Sequence, residues 1–398
     1  MRSVAGRVVA AATALLVLCS CAGGSGEGEP DASRQSVREV STPPDGPFTR
    51  ENTVVTAECS MGARYAAIAV RAWRPGSWRP VAERYFSLPG NAAFTNHAGA
   101  VEVHSPLVDL CRQRRDVAPA YAVDDAEYVA SRVRALFDRS FSRMAVVLRR
   151  PGTDYSQAYV LHSDVTQDEA GRARVTVRHT EHNAVMSPDG RRVWFTYTDG
   201  SGRTRIGSRA AWGDQRVRDE GPASGHALPL RVLGQPPRAL QAHTVRPSPD
   251  GRRVTATAPH VFGTVFDMPA RSSALTTRAA RGAVLLPDCV AAVSWVDATT
   301  VLCRTSSNSF VARDARSGRS VGEPITGGWA RHGQVAEGVA VSADGRRFLV
   351  SVHPPNDPFP EEGDLAWFEV LSTGAGGGRA RRVSHPSLSG TTVFLEWR

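Results

Sequence analysis

The sequence predicts an all-β chain assembled from one hairpin unit used repeatedly. Three observations predict it: a recurring heptapeptide, period-two alternation after each copy, and Pro and Gly scattered too densely for a helical domain. Ser187-Pro188-Asp189-Gly190-Arg191-Arg192-Val193 returns as Ser248-Pro249-Asp250-Gly251-Arg252-Arg253-Val254 and as Ser342-Ala343-Asp344-Gly345-Arg346-Arg347-Phe348. Pro at the second position pre-sets φ for a type I turn, Asp bonds the nearby backbone, and Gly takes the positive φ that closes a bulged hairpin. After the first copy Val193, Phe195 and Tyr197 share one face and Trp194, Thr196 and Thr198 the other; after the third, Phe348, Val350 and Val352 oppose Leu349 and Ser351. That period is a strand's. Among 398 residues there are 26 Pro and 36 Gly, and only Asp124 to Phe137 carries a helix-like pattern, with Asp124 as N-cap and Glu127 three positions on. The same stretch also reads as strand-turn-strand, because Val123 to Val129 echoes Val296 to Leu302.

Weaker copies extend the repeat. Ser294 to Val301 keeps the Asp turn, Cys59 to Tyr65 keeps the Gly, and Asp138 to Met144 keeps the register, so copies begin at residues 59, 138, 187, 248, 294 and 342. The first interval has room for one more degenerate copy near Gly99, which makes seven units rather than six. Units of about fifty residues, each about four strands long, match the blades of a β-propeller. The final stretch, Thr391 to Trp397, alternates as a strand and is expected to pair with the Thr53 to Ala57 region, closing the ring and removing its open edges.

Taken from the start, residues 1–20 read as an export signal, with Arg2 and Arg7 ahead of the apolar run Val8 to Leu18. That run is too short to cross a bilayer as a stable helix. Leu18-Cys19-Ser20-Cys21 resembles a bacterial lipobox. The resemblance implies that Cys21 is acylated and becomes the mature N-terminus, giving a palmitate-type anchor on the outer face of the cell membrane. Cys19 fits less well, with Leu18 directly before the cut; an ordinary secretory signal is the alternative. Residues 21–51 are rich in Gly, Ser, Pro, Glu and Asp and bury too little surface to order themselves, so they read as a flexible membrane tether. Residues 52–398 form the propeller domain.

Four cysteines remain after Cys19 and Cys21, an even number for an oxidising compartment. Of the three possible pairings, Cys59 with Cys111 and Cys289 with Cys303 keep each bridge within one or two neighbouring units. A four-cysteine metal site lacks any Cys-x-x-Cys pair.

The Ser-Pro-Asp-Gly-Arg-Arg-Val repeats resemble those of TolB-like, or WD40-like, β-propeller proteins. The resemblance covers most of the chain after residue 52 and is strong at three copies. It implies blades around a central channel with loops on one face available for binding, and it does not imply an enzyme. It carries Asp189, Gly190, Asp250, Gly251, Asp344 and Gly345 over as turn formers.

All 48 basic residues are Arg, and the formal net charge is +9. The absence of Lys excludes a Walker A lysine and Schiff-base chemistry. Arg in place of Lys, with abundant Ala, reads as the coding bias of a GC-rich genome, although an Arg-rich exported surface could also meet anionic headgroups or acidic polymers. No Gly-x-Ser-x-Gly elbow and no His-Glu-x-x-His motif occurs. His179-Thr180-Glu181-His182 is the closest metal-like cluster, but on a strand its two histidines point to opposite faces. Asp357, Glu361, Glu362 and Asp364 form an acidic loop, read as solvated rather than as a calcium site because prolines interrupt it and EF-hand spacing is missing.

No catalytic residue, metal ligand or cofactor is therefore assigned. The expected partners are the membrane, through the N-terminal lipid, and an envelope protein, peptide or glycan, with no nucleic acid and the chain a monomer. The alternative is a propeller enzyme of lactonase, lyase or glycosidase type, which needs carboxylates or histidines converging at the channel.

Overall fold

The computed structural model describes residues 46–61, 66–98, 101–111, 126–163, 173–187, 190–212, 216–222, 245–250, 252–256, 264–267, 284–327, 329, 333–355, 366–371, 379–383, 388 and 392–398. These residues form seven antiparallel sheets. In chain order, β1 (Val54–Met61), β2 (Ala66–Arg74) and β3 (Arg79–Ser87) make the first meander, and β4 (Thr95–Ala98) and β5 (Val101–His104) a separate hairpin. Two helices follow, α1 (Pro106–Leu110) and α2 (Ala126–Arg134), and then the pair β6 (Arg143–Arg149) and β7 (Ser156–His162).

Four sequential sheets come next. They are β8 (Glu181–Met186), β9 (Arg192–Thr198), β10 (Thr204–Ala210) and β11 (Arg218–Pro222); β12 (Val245–Pro247), β13 (Arg253–Ala256), β14 (Thr264–Asp267) and β15 (Val284–Leu285); β16 (Ala291–Trp295), β17 (Thr300–Arg304) and β18 (Phe310–Asp314); and β19 (Val335–Val341), β20 (Arg347–His353), β21 (Ala366–Leu371) and β22 (Arg379–Val383). Bridges from Phe310 to Ile325 and from Arg313 to Ser320 extend the outer edge of the third. The alternation read from the sequence sets the packing: β9 buries Val193 and Phe195 while Trp194 and Thr196 stay half-buried.

The last strand, β23 (Val393–Trp397), pairs with β1, Val54 opposite Trp397 and Ala57 opposite Val393, so the first sheet runs β23-β1-β2-β3. The chain's two ends thus share one sheet. Meander sheets in sequence order, closed by a strand from the far end of the chain, make an all-β propeller.

Two details of the repeat differ from the sequence expectation. The strong copies join the first and second strands of their sheets, whereas Cys59 to Met61 lies in β1, ahead of the junction between second and third. The first strand of that sheet comes from the C-terminus, so the copy there is displaced by one strand. The extra unit expected near Gly99 corresponds to the β4–β5 hairpin, which helices rather than further strands follow; Gly99 itself lies outside the described residues.

The stretch with two open readings contains α2, a helix; Asp124 lies outside the described residues. Upstream, Phe48 falls within the segment read as tether, yet it is 2% exposed and its ring lies 6.0 Å from that of Phe141. An aromatic ring next to an apolar face is withdrawn from water whatever the composition around it.

Candidate functional site

The sheet of β6 and β7 shows how the ring's axis is built. The inner edge of β6 is flanked by two short pieces instead of one strand. Asn91 to Ala93 covers one end, with Ala93 N–H donating to the Val147 carbonyl at 2.7 Å, and Leu136 with Phe137 covers the other, with Ala145 N–H donating to Leu136 at 2.7 Å. Between them the chain makes the β4–β5 hairpin, α1 and α2. Helix α2 packs against β23, β19 and β16, the first strands of three sheets, and the Met186 N–H at the end of a fourth first strand donates to Ala135 O at 3.0 Å. A helix that touches so many first strands occupies the axis of the ring. Val129 and Val133 join the core cluster that also holds Val393, Leu395, Val146 and Leu148. Arg134 Nε donates to Glu396 Oε2 at 2.5 Å, and its guanidinium lies 4.6 Å over the Phe141 ring.

Both expected disulfides are present. Cys59–Cys111 has a Cα–Cα distance of 5.1 Å and Cys289–Cys303 one of 5.2 Å. The first ties the C-cap of α1 to β1, stapling the inserted segment to the closing sheet.

One edge of the ring carries the repeat turns. Ser342 Oγ donates to Asp344 Oδ1 at 2.5 Å, the Arg346 N–H donates to the same oxygen, and the Arg347 N–H donates to Ser342 Oγ at 2.9 Å. The Ser248 turn repeats this set through Asp250. The serine hydroxyl bonds first, and the backbone amide after it, hold both carboxyls below the ordinary Asp range. Gly190 and Gly345 have φ of 69° and 67°. Asp189, Gly251 and Cys21 lie outside the described residues.

Two pairs of successive turns touch. A Cβ on Gly345 would stand 2.5 Å from the Val296 carbonyl and one on Gly190 3.1 Å from the Asp138 side chain, and Arg143 Nη1 donates to Gly190 O at 3.1 Å. In each turn the second arginine folds back onto the ring: Arg192 bonds Ser208, Arg253 approaches Asp267, and Arg347 bonds Asn52 and covers the Trp397 ring. The first arginine of each, Arg191, Arg252 and Arg346, is exposed.

The opposite edge, where the first strands begin, carries hydrogen-bonding side chains. Asn308, at φ 60°, bridges two loops: its Oδ1 accepts from Ala336 N–H at 2.8 Å and its carbonyl from Trp329 Nε1 at 3.1 Å. Trp329 meets Phe310 edge-on. Beside them His353 Nε2 lies 3.7 Å from Glu337 Oε2. The Glu337 carboxylate, working against burial, raises the His353 imidazole above its ordinary value. Ser306 and Ser307 are exposed in the hairpin between β17 and β18, which is held by the Thr305–Ser309 hydroxyl pair at 2.7 Å. Sequence reasoning missed this rim. Asn308, Glu337 and His353 belong to no motif, and only folding brings them together.

On the same edge, His179 to His182 forms a latch between sheets. Glu181 is fully buried; its carboxylate accepts from the buried Arg209 guanidinium, from His179 Nε2 at 2.7 Å, and from Ala158 N–H on β7 at 2.7 Å. Burial lowers the Arg209 guanidinium, and the Glu181 charge offsets part of that. His182, 1% exposed, has no hydrogen-bond partner at either ring nitrogen, and desolvation lowers it to about 4. The two histidines face different surroundings, and among the described residues no group of three His, Cys, Asp or Glu is arranged to hold a metal ion. Asp357, Glu361, Glu362 and Asp364 lie outside the described residues.

No family model and no curated protein matches the chain. Solved structures do. TolB from Acinetobacter baumannii aligns at 11% identity over 87% of this chain and 83% of that one, with a TM-score of 0.31. The Cps50 (Swd1) β-propeller domain of Myceliophteria thermophila aligns at 11% over 78% and 95%, with a TM-score of 0.30. The C-terminal WD40 domain of Sif2 aligns at 10% over 62% and 56%, with a TM-score of 0.30. At these identities no site and no partner transfers from them. The propeller architecture rests on the chain's own meander sheets and on their closure by β23.

Proposed function

We propose that this chain is an exported lipoprotein, held on the outer face of the cell membrane through Cys21, whose propeller is a binding or scaffold module for an envelope protein, peptide or glycan. The observation that carries this reading is the helix on the ring's axis. With α2 packed among the first strands, the ring offers its faces to a ligand, and one face carries a hydrogen-bonding rim around Asn308, Trp329, Glu337 and His353. Trp329 is 4% exposed and its indole is spent on the Asn308 carbonyl, so these groups fix the loops, and the exposed Ser306 and Ser307 hydroxyls beside them suit recognition of a polar chain. For the enzyme reading, the axis would have to present converging acids or histidines.

Cross-linking on intact cells followed by identification of the attached species tests the binding function. One recurrent partner is expected, lost when Asn308 and His353 are replaced by alanine, and an unchanged cross-linking pattern in that variant refutes the rim as the site. For the anchor, Cys21→Ala is expected to release the protein to the medium after a high-salt wash, and retention through that wash refutes acylation there.

A further inference from the structure

We infer that the edge of the ring carrying the repeat turns docks on an anionic bilayer surface, which leaves the Asn308 rim facing outward. The inference rests on the lipid tether proposed above and adds an orientation to it. Two independent observations carry it.

The first is where the chain enters the fold. Thr53 and Arg398 exchange backbone hydrogen bonds, and Asn52 Oδ1 accepts from Arg347 of the third strong turn. Phe48 packs on Phe141 of the Asp138 turn. The residues leading into β1 therefore arrive on the turn edge. About two dozen residues separate Cys21 from this point, so a chain held by a lipid at Cys21 joins the fold at this edge first.

The second is charge. Arg139, Arg191, Arg252 and Arg346 are exposed, one from each of four turns, and Arg50 stands exposed at the entry point. The turns carrying Arg139, Arg191 and Arg346 are joined through the Arg143–Gly190, Arg398–Arg139 and Arg347–Asn52 contacts, and Arg252 stands on the corresponding turn between the first and second strands of its own sheet, so these arginines belong to one edge. The turn aspartates lower the net charge: in the Ser248 turn Arg252 and Arg253 lie 3.9 Å and 3.7 Å from Asp250 and Asp267, while in the Ser342 turn Arg347 bonds the neutral Asn52, which leaves a surplus cation beside Asp344. Cations distributed over one face and fixed on rigid turns fit a plane of anionic headgroups, where each is worth a severalfold gain in partitioning.

The test uses the purified full chain carrying Cys21→Ala, so that acylation plays no part, sedimented with vesicles of phosphatidylcholine alone or mixed with phosphatidylglycerol. Binding to the mixed vesicles alone is expected, and it should weaken with added salt. The variant R139S/R191S/R252S/R346S should bind about fivefold more weakly per arginine removed, with its thermal unfolding unchanged. R150S/R203S, on the opposite edge, should bind as the parent does. Equal binding to both vesicle types overturns the inference, as does full binding by the fourfold variant or an equal loss in R150S/R203S. Capture by soluble polyglutamate as strong as by vesicles would reassign the face to an acidic polymer and overturn it too. The salt-washed Cys21→Ala fractionation fails separately, because it reports acylation alone.

Discussion

Gly345 sits in a turn at φ 67°, where a Cβ would also stand 2.5 Å from the Val296 carbonyl of the preceding sheet. Gly152 has a similar φ of 72° with nothing within 4 Å. Gly152→Ala should therefore cost only the backbone conformation, about 1–2 kcal/mol, and Gly345→Ala clearly more, because two sheets must part. Urea unfolding of the two variants decides it, and equal losses would show that the repeat glycine serves the turn alone. The glycine's conformational role was legible in the heptapeptide; its role between sheets was not, since no local pattern says which strand lies beyond a turn.

His182 makes a second prediction at this scale. Its imidazole is lowered to about 4 by burial, so the unfolded chain binds the extra proton between the ordinary value near 6.5 and pH 4. The stabilisation is complete above pH 6.5 and is lost as pH falls toward 4, amounting to about 2 kcal/mol between pH 7.5 and 5. His353 runs the other way, since the Glu337 carboxylate raises it and favours the protonated fold at low pH. A His182→Leu variant isolates the first effect: its loss of stability between those two pH values should be about 2 kcal/mol smaller than the parent's, and an identical pH dependence would mean that His182 does not titrate as its burial implies.

At the scale of elements, the inserted segment is the feature that periodicity could not settle. Asp124 to Phe137 has a helical cap pattern and a strand-like echo at once, and isolated short helices are marginal in water. Tertiary packing chose: Val129 and Val133 are buried against strands from both ends of the chain. The Cys59–Cys111 bridge fastens this segment, closing a loop with a sequence separation of 52, against 14 for Cys289–Cys303. On the chain-entropy estimate the first contributes about 4 kcal/mol and the second about 3 kcal/mol. Removing both cysteines of the first pair should lower the denaturation midpoint more than removing the second pair. It should also speed hydrogen exchange in α2, whereas removing Cys289 and Cys303 should leave α2 protected. The reverse pattern would mean that packing alone holds the helix.

At the scale of the whole molecule, the pairing of β1 with β23 makes the ring one cooperative unit. Truncation before Val393 removes the strand that pairs with Val54 to Ala57 and the carboxylate that holds Arg134. The edge of β1 would then be open for pairing with another chain. The truncated protein is expected to lose two-state unfolding and to self-associate in light scattering, and a monomeric variant with the parent's unfolding midpoint would show that closure contributes little. The sequence by itself determined the strands and the turns that start them, because each rests on local chemistry; it favoured one of three cysteine pairings by proximity along the chain, and the closing strand by its alternation. Only the tertiary structure decided that a helix fills the axis, that the arginines gather on the edge where the chain enters, and that Asn308, Glu337 and His353 share a rim. Those outcomes depend on which distant segments meet when the sheets close, and contacts of that kind leave no periodic trace in the residues that make them.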